Sequence, residues 1–182
     1  MEKLYSWCTS LSEKIESSVY EYWNYVQDYF VETPVCFNVF IIGAISALVI
    51  AVIYYFIICN KSFALAKRYF WAITVFVTFL TSLIISLSVV RGTDGEAPDE
   101  STGLYASSFL TQEKLVTSAN GNEETITEYN VQAETFRESL RSGEELLPME
   151  IAIVNAFYSI LFYLLFSLLF KKHTTHGKAI PW

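Results

Sequence analysis

Residues that commonly carry catalysis are scarce in this chain. Its 182 residues include two histidines and three cysteines. His173 and His176 lie three apart, and two ligands by themselves do not define a metal site. The cysteines fit no CxxC pattern, and there is no phosphate-binding loop and no GxGxxG, GxSxG or HExxH motif. We therefore expect no enzyme activity, no cofactor and no metal.

Charge is also scarce, and it is absent from three long stretches. Charged residues make up 17% of the chain, against about a quarter in ordinary soluble domains. Residues 37–59, 69–90 and 151–170 carry no charge. About 20 helical residues cross a hydrocarbon core of about 30 Å, whereas buried helices of a soluble protein are shorter or carry polar stripes. The sequence predicts an integral membrane protein, mainly α, with transmembrane helices at 37–59, 69–90 and 150–170.

Lysine and arginine are few, but they cluster beside the predicted spans. The loop 60–68 and the tail 171–182 contain bases and no acids. Short basic loops stay in the cytoplasm, and three spans place this loop and this tail on the same side. We predict a cytoplasmic C-terminus, with the N-terminus and residues 91–149 outside the inner (plasma) membrane of a bacterium. The predicted topology anchors are Lys61, Lys67, Arg68, Lys171 and Lys172. The first span lacks a basic n-region, so we expect it to be retained as an anchor.

Proline and glycine are absent from residues 2–31, which favours one uninterrupted helix. We predict that residues 1–36 form an aromatic amphipathic helix outside the membrane. The apolar face of this helix contacts either the bilayer surface, where Trp and Tyr are favoured, or another protein surface. Its polar face is acidic and would be repelled by anionic lipid, which favours packing on residues 91–149 or on copies of itself. Gaps of three and four define its apolar stripe: Leu4, Cys8, Leu11, Ile15, Val19, Tyr22, Val26 and Tyr29.

Residues 91–149 are predicted to form a small acidic α+β domain between spans two and three. Residues 91–103 are rich in Gly, Pro and Asp and are typical of a linker. The stretches 114–118 and 124–129 flank Asn120 and Gly121, a pair that favours the tight turn of a β-hairpin. Residues 133–148 are predicted to be helical. Twelve acids and three bases between 92 and 148 give either a surface for a cation or a basic partner, or a solvated face.

Small and hydroxyl side chains are concentrated on the predicted spans. Such residues are typical of helix–helix interfaces in lipid, although polar stripes also line water-filled paths. The stretches 37–59, 69–90 and 151–170 carry no charge, which transporters and proton relays usually need, and this favours packing within or between chains. The predicted packing residues are Gly43, Ala44, Ser46, Ala47, Thr74, Thr78, Thr81, Ser82, Asn155 and Ser159.

The tail ends in an apolar stretch that topology alone does not require. Ile180, Pro181 and Trp182 form a rigid end with an aromatic residue favoured at binding hot spots. Three fates are open to this end: return to the lipid interface, insertion into a partner, or disorder. We hypothesise docking on a cytosolic protein or a neighbouring subunit.

Taken together, these patterns favour a non-enzymatic, oligomeric membrane protein that acts as a sensor, anchor or scaffold subunit of a larger complex. The acidic outer domain and the cytoplasmic tail would be its contact surfaces. The expected partners are membrane lipid, further copies of the chain and a cytosolic protein, and no nucleic acid. The alternative is a small oligomeric channel or membrane-disrupting effector of a bacterial defence or toxin system, an analogy from size and layout.

Overall fold

The computed structural model describes residues 22, 26, 35–61, 68–143 and 147–173. Helix α1 (Val35–Val52) continues through a π-helical segment (Ile53–Ile58) into the short α2 (Cys59–Lys61). Helices α3 (Arg68–Arg91), α4 (Gly103–Ser118), α5 (Glu123–Ser142) and α6 (Leu147–Lys171) follow. No strand occurs among the described residues.

Three helical stretches are long and apolar enough to cross a membrane, which confirms the membrane part of the predicted fold. They are Phe37–Ile58, Tyr69–Arg91 and Pro148–Lys171, hereafter spans one, two and three. Large apolar side chains project outward at a spacing of four on each span, as on span three at Phe157, Leu161 and Leu165. A water-facing surface of this kind would be unfavourable, so these faces are suited to contact lipid.

The predicted β-hairpin is wrong: both of its strands are parts of helices. The turn itself is present, because Asn120 and Gly121 adopt positive φ angles of 49° and 82°, but it joins α4 to α5. The Asn122 side chain accepts hydrogen bonds from the backbone N–H groups of Glu124 and Thr125 and so caps α5. Acidic residues in the first turn add favourable helix-dipole interactions. These helix-start signals outweigh the β-branched residues that suggested strands, and the helical hairpin replaces the expected α+β domain.

The segment before α4, expected to be a linker, is tied together by hydrogen bonds. The Thr102 backbone N–H donates to the Thr93 carbonyl at 3.1 Å, and the Thr93 N–H donates to the Thr102 hydroxyl at 2.8 Å. Gly92 allows this closure, since a Cβ there would lie 1.9 Å from the Thr102 carbonyl oxygen. The 92–102 segment is therefore an ordered loop.

The chain divides into two units. The hairpin unit comprises residues 1–38 and 87–151, and the membrane unit comprises residues 39–86 and 152–182. Most of the N-terminal helix predicted over 2–31 lies outside the described residues, as do Lys67 and the tail residues Ile180, Pro181 and Trp182. Tyr22 and Val26 of the predicted apolar stripe are described, and both are helical and fully buried.

Candidate functional site

Asn155 joins all three spans in the membrane unit. Its side-chain N–H₂ group donates one hydrogen bond to the Val39 carbonyl of span one, at 3.0 Å. The second goes to the Ser86 hydroxyl of span two, at 2.6 Å. Asn155 itself belongs to span three and is 1% exposed. Both amide protons are thus used to hold the neighbouring helices.

One turn further along span three, Ser159 continues this set of contacts. Its hydroxyl donates to the Asn155 carbonyl at 2.9 Å and lies 2.6 Å from the Ser82 hydroxyl of span two. Because a hydroxyl has a single proton, Ser82 is the donor in the bond between the two serines. The direction of each bond is therefore fixed.

Two more turns of span three bring aromatic partners. The Tyr163 hydroxyl lies 2.6 Å from that of Thr74, which donates to the Trp71 carbonyl, so Tyr163 donates to Thr74. Ser167 hydrogen-bonds the Tyr55 hydroxyl and accepts from the Trp71 indole N–H at 3.2 Å. We call the whole set of side chains the polar seam: Tyr55, Trp71, Thr74, Ser82, Ser86, Asn155, Ser159, Tyr163 and Ser167.

Gly43 lets span one approach the polar seam closely. A Cβ at this position would lie 2.7 Å from the Ser159 hydroxyl oxygen and 2.9 Å from Asn155 Oδ1. Asn155 Oδ1 is buried and has no conventional hydrogen-bond partner in the part of the chain that the structure describes. Weak Cα–H···O contacts recur where helices pack this closely. Any side chain at Gly43 would displace these groups.

The chemistry of the polar seam is that of neutral donors and acceptors. It contains no carboxylate, ammonium, guanidinium or imidazole group, and no metal-ligating group of three or more His, Cys, Asp or Glu occurs among the described residues. Proton relays and ion pathways in membranes usually need an ionisable group. With its protons directed at neighbouring oxygens, the seam is suited to hold helices together.

The predicted packing residues fall on the inner faces of the spans within one chain. Gly43, Ala47, Thr78, Ser82, Asn155 and Ser159 are buried, whereas Ala44, Ser46, Thr74 and Thr81 are partly buried. Ala47 and Ala51 pack against Tyr163. Their packing between copies of the chain stays a prediction. Of the topology anchors, Lys61 ends α2, Arg68 begins α3 and Lys171 ends α6, while Lys172 is exposed.

The hairpin unit has a second polar cluster, centred on Arg137 of α5. Arg137 is 6% exposed, and its guanidinium lies 4.2 Å from the centre of the Phe109 ring of α4. It donates to the Gln112 side chain at 2.8 Å and to Glu134 at 3.0 Å. These contacts satisfy a buried charge and join the two helices of the hairpin.

Glu134 extends this cluster to the surface. The hydrogen bond from Arg137 holds the pKa of the Glu134 carboxyl below its usual range. Arg141 bonds both Glu134, at 3.1 Å, and Asp94 of the ordered loop, at 2.6 Å, and its bond to Asp94 raises the pKa of Arg141. Arg91 of α3 donates to the Leu140 and Arg141 carbonyls and so caps the end of α5. Asp94, Glu134 and Arg141 are among the residues that line an open surface pocket of about 630 Å³.

Several of these residues could not be chosen from the sequence. Ser86 and Ser167 are exceptions, because they continue the hydroxyl stripes of spans two and three and the spacing indicates them. Tyr55 and Trp71 lie in apolar runs where aromatic residues are common, so nothing local marks their polar groups as partners. Arg137 had no signal either, because its burial depends on how α4 packs against α5.

No family model, no curated protein and no solved structure matches this chain. Its class is defined by its own architecture. It is a mostly helical protein with three helices long and apolar enough to span a membrane, in which a helical hairpin connects spans two and three.

Proposed function

We propose that the protein is a non-enzymatic membrane anchor or scaffold subunit that presents an acidic helical surface to a partner. The observation that carries this proposal is the polar seam, in which the polar groups of the spans are paired with one another inside one chain. A membrane unit built in this way supplies attachment and rigidity. The contact chemistry is then left to the segments outside the spans.

The contact surface we propose is the exposed acidic face of α5. Glu124, Glu128 and Glu138 are exposed and recur at helical spacing on one side of this helix. Val131 lies at the centre of the same side and is 60% exposed. An apolar residue surrounded by carboxylates is suited to a partner with an apolar contact and a basic rim.

The orientation we propose follows from the charges at the helix ends. The bases beside α2, α3 and the end of α6 favour the cytoplasmic side, so the hairpin and the N-terminus would lie outside a bacterial inner membrane. Further copies of the chain, and a cytosolic protein bound through Ile180, Pro181 and Trp182, remain parts of the proposal. A homo-oligomer would use faces other than the seam.

Copurification tests the scaffold role. After crosslinking in native membranes, the wild-type chain should enrich one protein, and a variant with Glu124→Gln, Glu128→Gln and Glu138→Gln should lose at least about tenfold of it, because charges at a contact rim set association and specificity. The matched control removes three other exposed acids, Glu96→Gln, Asp99→Asn and Glu100→Gln, and should retain the partner. Equal enrichment by both variants would contradict this contact surface.

The alternative function, a small oligomeric channel or membrane-disrupting effector, makes a different prediction. Such a protein would release ions from vesicles without any partner. The internal pairing of the seam disfavours this role, since a conducting path needs polar groups that face water.

A further inference from the structure

Tyr22 of the N-terminal segment lies in a groove between α4 and α5, against Ser108 and Phe136. The Tyr22 hydroxyl donates to the Ser108 carbonyl of α4 at 2.6 Å and lies 3.1 Å from the Ser108 hydroxyl. Its ring centre lies 6.0 Å from that of Phe136 on α5. One residue therefore contacts both helices of the hairpin at once, and its fully buried side chain places it where a third helix would pack.

The contact of Tyr22 with the hairpin is buried. Removal from water raises the pKa of the Tyr22 phenol to about 12, which further favours the protonated form that donates this hydrogen bond. Val26, one helical turn on, is also fully buried. Tyr22 and Val26 belong to the stripe that the sequence predicts for residues 2–31, and the next stripe positions are Val19 and Tyr29.

We propose that the apolar face of the N-terminal segment docks in the groove between α4 and α5 of the same chain, with Tyr22 as its anchor. The occupant is intramolecular because only eight residues, 27–34, separate Val26 from the start of α1. A link of this length reaches at most about 30 Å. It keeps the segment at an effective concentration on the order of millimolar beside the groove, which favours it over a second copy.

This docking removes the segment from the membrane surface. A face whose Tyr22 packs on Ser108 and Phe136 is no longer available to the lipid interface. Thr111, one turn after Ser108 on α4, is also buried, and its hydroxyl has no hydrogen-bond partner among the described residues. The covered surface of α4 therefore extends at least one turn beyond Ser108.

Hydrogen exchange of the full chain in detergent tests the docking. Peptides around residue 22 should be protected in the wild type. Tyr22→Phe, which keeps the ring and removes the hydroxyl, should speed their exchange about five- to tenfold, the range expected for one buried hydrogen bond. The matched control is Tyr129→Phe on α5, a partly exposed tyrosine, and should leave the exchange of these peptides unchanged. Unprotected amides in the wild type, or no response to Tyr22→Phe, would overturn the proposal.

A photocrosslink identifies the occupied surface. A photoreactive benzoylphenylalanine at position 22 should link to a peptide of α4 or α5 at the mass of one chain. A product at the mass of two chains would assign the groove to a second copy, and a product with lipid would place the segment on the bilayer. Either of these products overturns intramolecular docking. Because exchange in the unmodified wild type is measured independently, the proposal stays testable if the bulky probe disturbs folding.

Discussion

At the scale of single residues, Asn155 and Gly43 have complementary roles. The asparagine uses both amide protons to hold spans one and two, and the glycine allows span one to approach closely enough for this contact. Hydrogen bonds between membrane helices contribute modestly, about 0.6 kcal/mol on average and up to about 1.7 kcal/mol. Asn155 makes two such bonds, so we expect the free energy lost on removing its side chain to be near the upper end of this range.

Asn155→Ala should lower the stability of the solubilised protein by about 1–2 kcal/mol, because it leaves the Val39 carbonyl and the Ser86 hydroxyl without this donor. Thermal or detergent unfolding measures the change. Ser46→Ala is the matched control and should cost clearly less, since among the described residues the Ser46 hydroxyl donates only to the Gly43 carbonyl of its own helix. Equal losses for the two variants would refute a special role of Asn155.

Gly43→Ala should also destabilise the chain, by about 1–3 kcal/mol, which is typical of overpacking. The new Cβ would lie 2.7 Å from Ser159 Oγ and 2.8 Å from Asn155 Nδ2, and both atoms are held by hydrogen bonds to neighbouring groups. The control is Ile45→Val on the exposed face of α1, where the side chain is 54% exposed. If Gly43→Ala unfolds no earlier than the control, the close approach of span one does not contribute to stability.

At the scale of elements, the helices between spans two and three depend on local signals that the sequence contains. Asn122 caps α5, Glu123 and Glu124 follow it, and Leu104, Thr111 and Leu115 are buried on one face of α4. The β-hairpin prediction gave more weight to the turn at Asn120 and Gly121 than to these signals. A pair with positive φ ends a helix as readily as it joins two strands, so the turn alone did not decide the elements.

Asn122→Ala should weaken the start of α5 by about 1 kcal/mol, because the backbone N–H groups of Glu124 and Thr125 lose their side-chain acceptor. Hydrogen exchange at the first turn of α5 should accelerate accordingly. Asn122→Ser keeps a capping oxygen and should stay close to the wild type. If the alanine and serine variants exchange at the same rate, the Asn122 side chain does not stabilise the start of α5.

At the scale of the whole molecule, the spans were the most predictable part. Charge-free runs of 20 or more residues follow from the hydrocarbon thickness, and the three helices confirm them. Which polar groups pair with one another was less predictable. That Tyr55 meets Ser167, or that Arg137 lies over Phe109, depends on the rotation and packing of helices, and these are set by contacts distant in sequence.

The proposed orientation predicts the behaviour of reporter fusions in a bacterial host. Alkaline phosphatase is active only outside the cytoplasm. It should be inactive when fused after the last residue, because the bases near α2, α3 and the end of α6 keep the C-terminus in the cytoplasm. The same enzyme fused after Gly121, between α4 and α5, should be active. An active C-terminal fusion together with an inactive hairpin fusion would reverse the topology.

Ion flux through vesicles containing the purified chain tests the central claim most directly. The polar groups of the spans are directed at one another, so the membrane unit should be an anchor without a conducting path. The account predicts flux no greater than in protein-free vesicles across a range of protein-to-lipid ratios. Flux that rises with the amount of protein and changes in Ser82→Ala or Ser159→Ala would contradict it and would favour the channel.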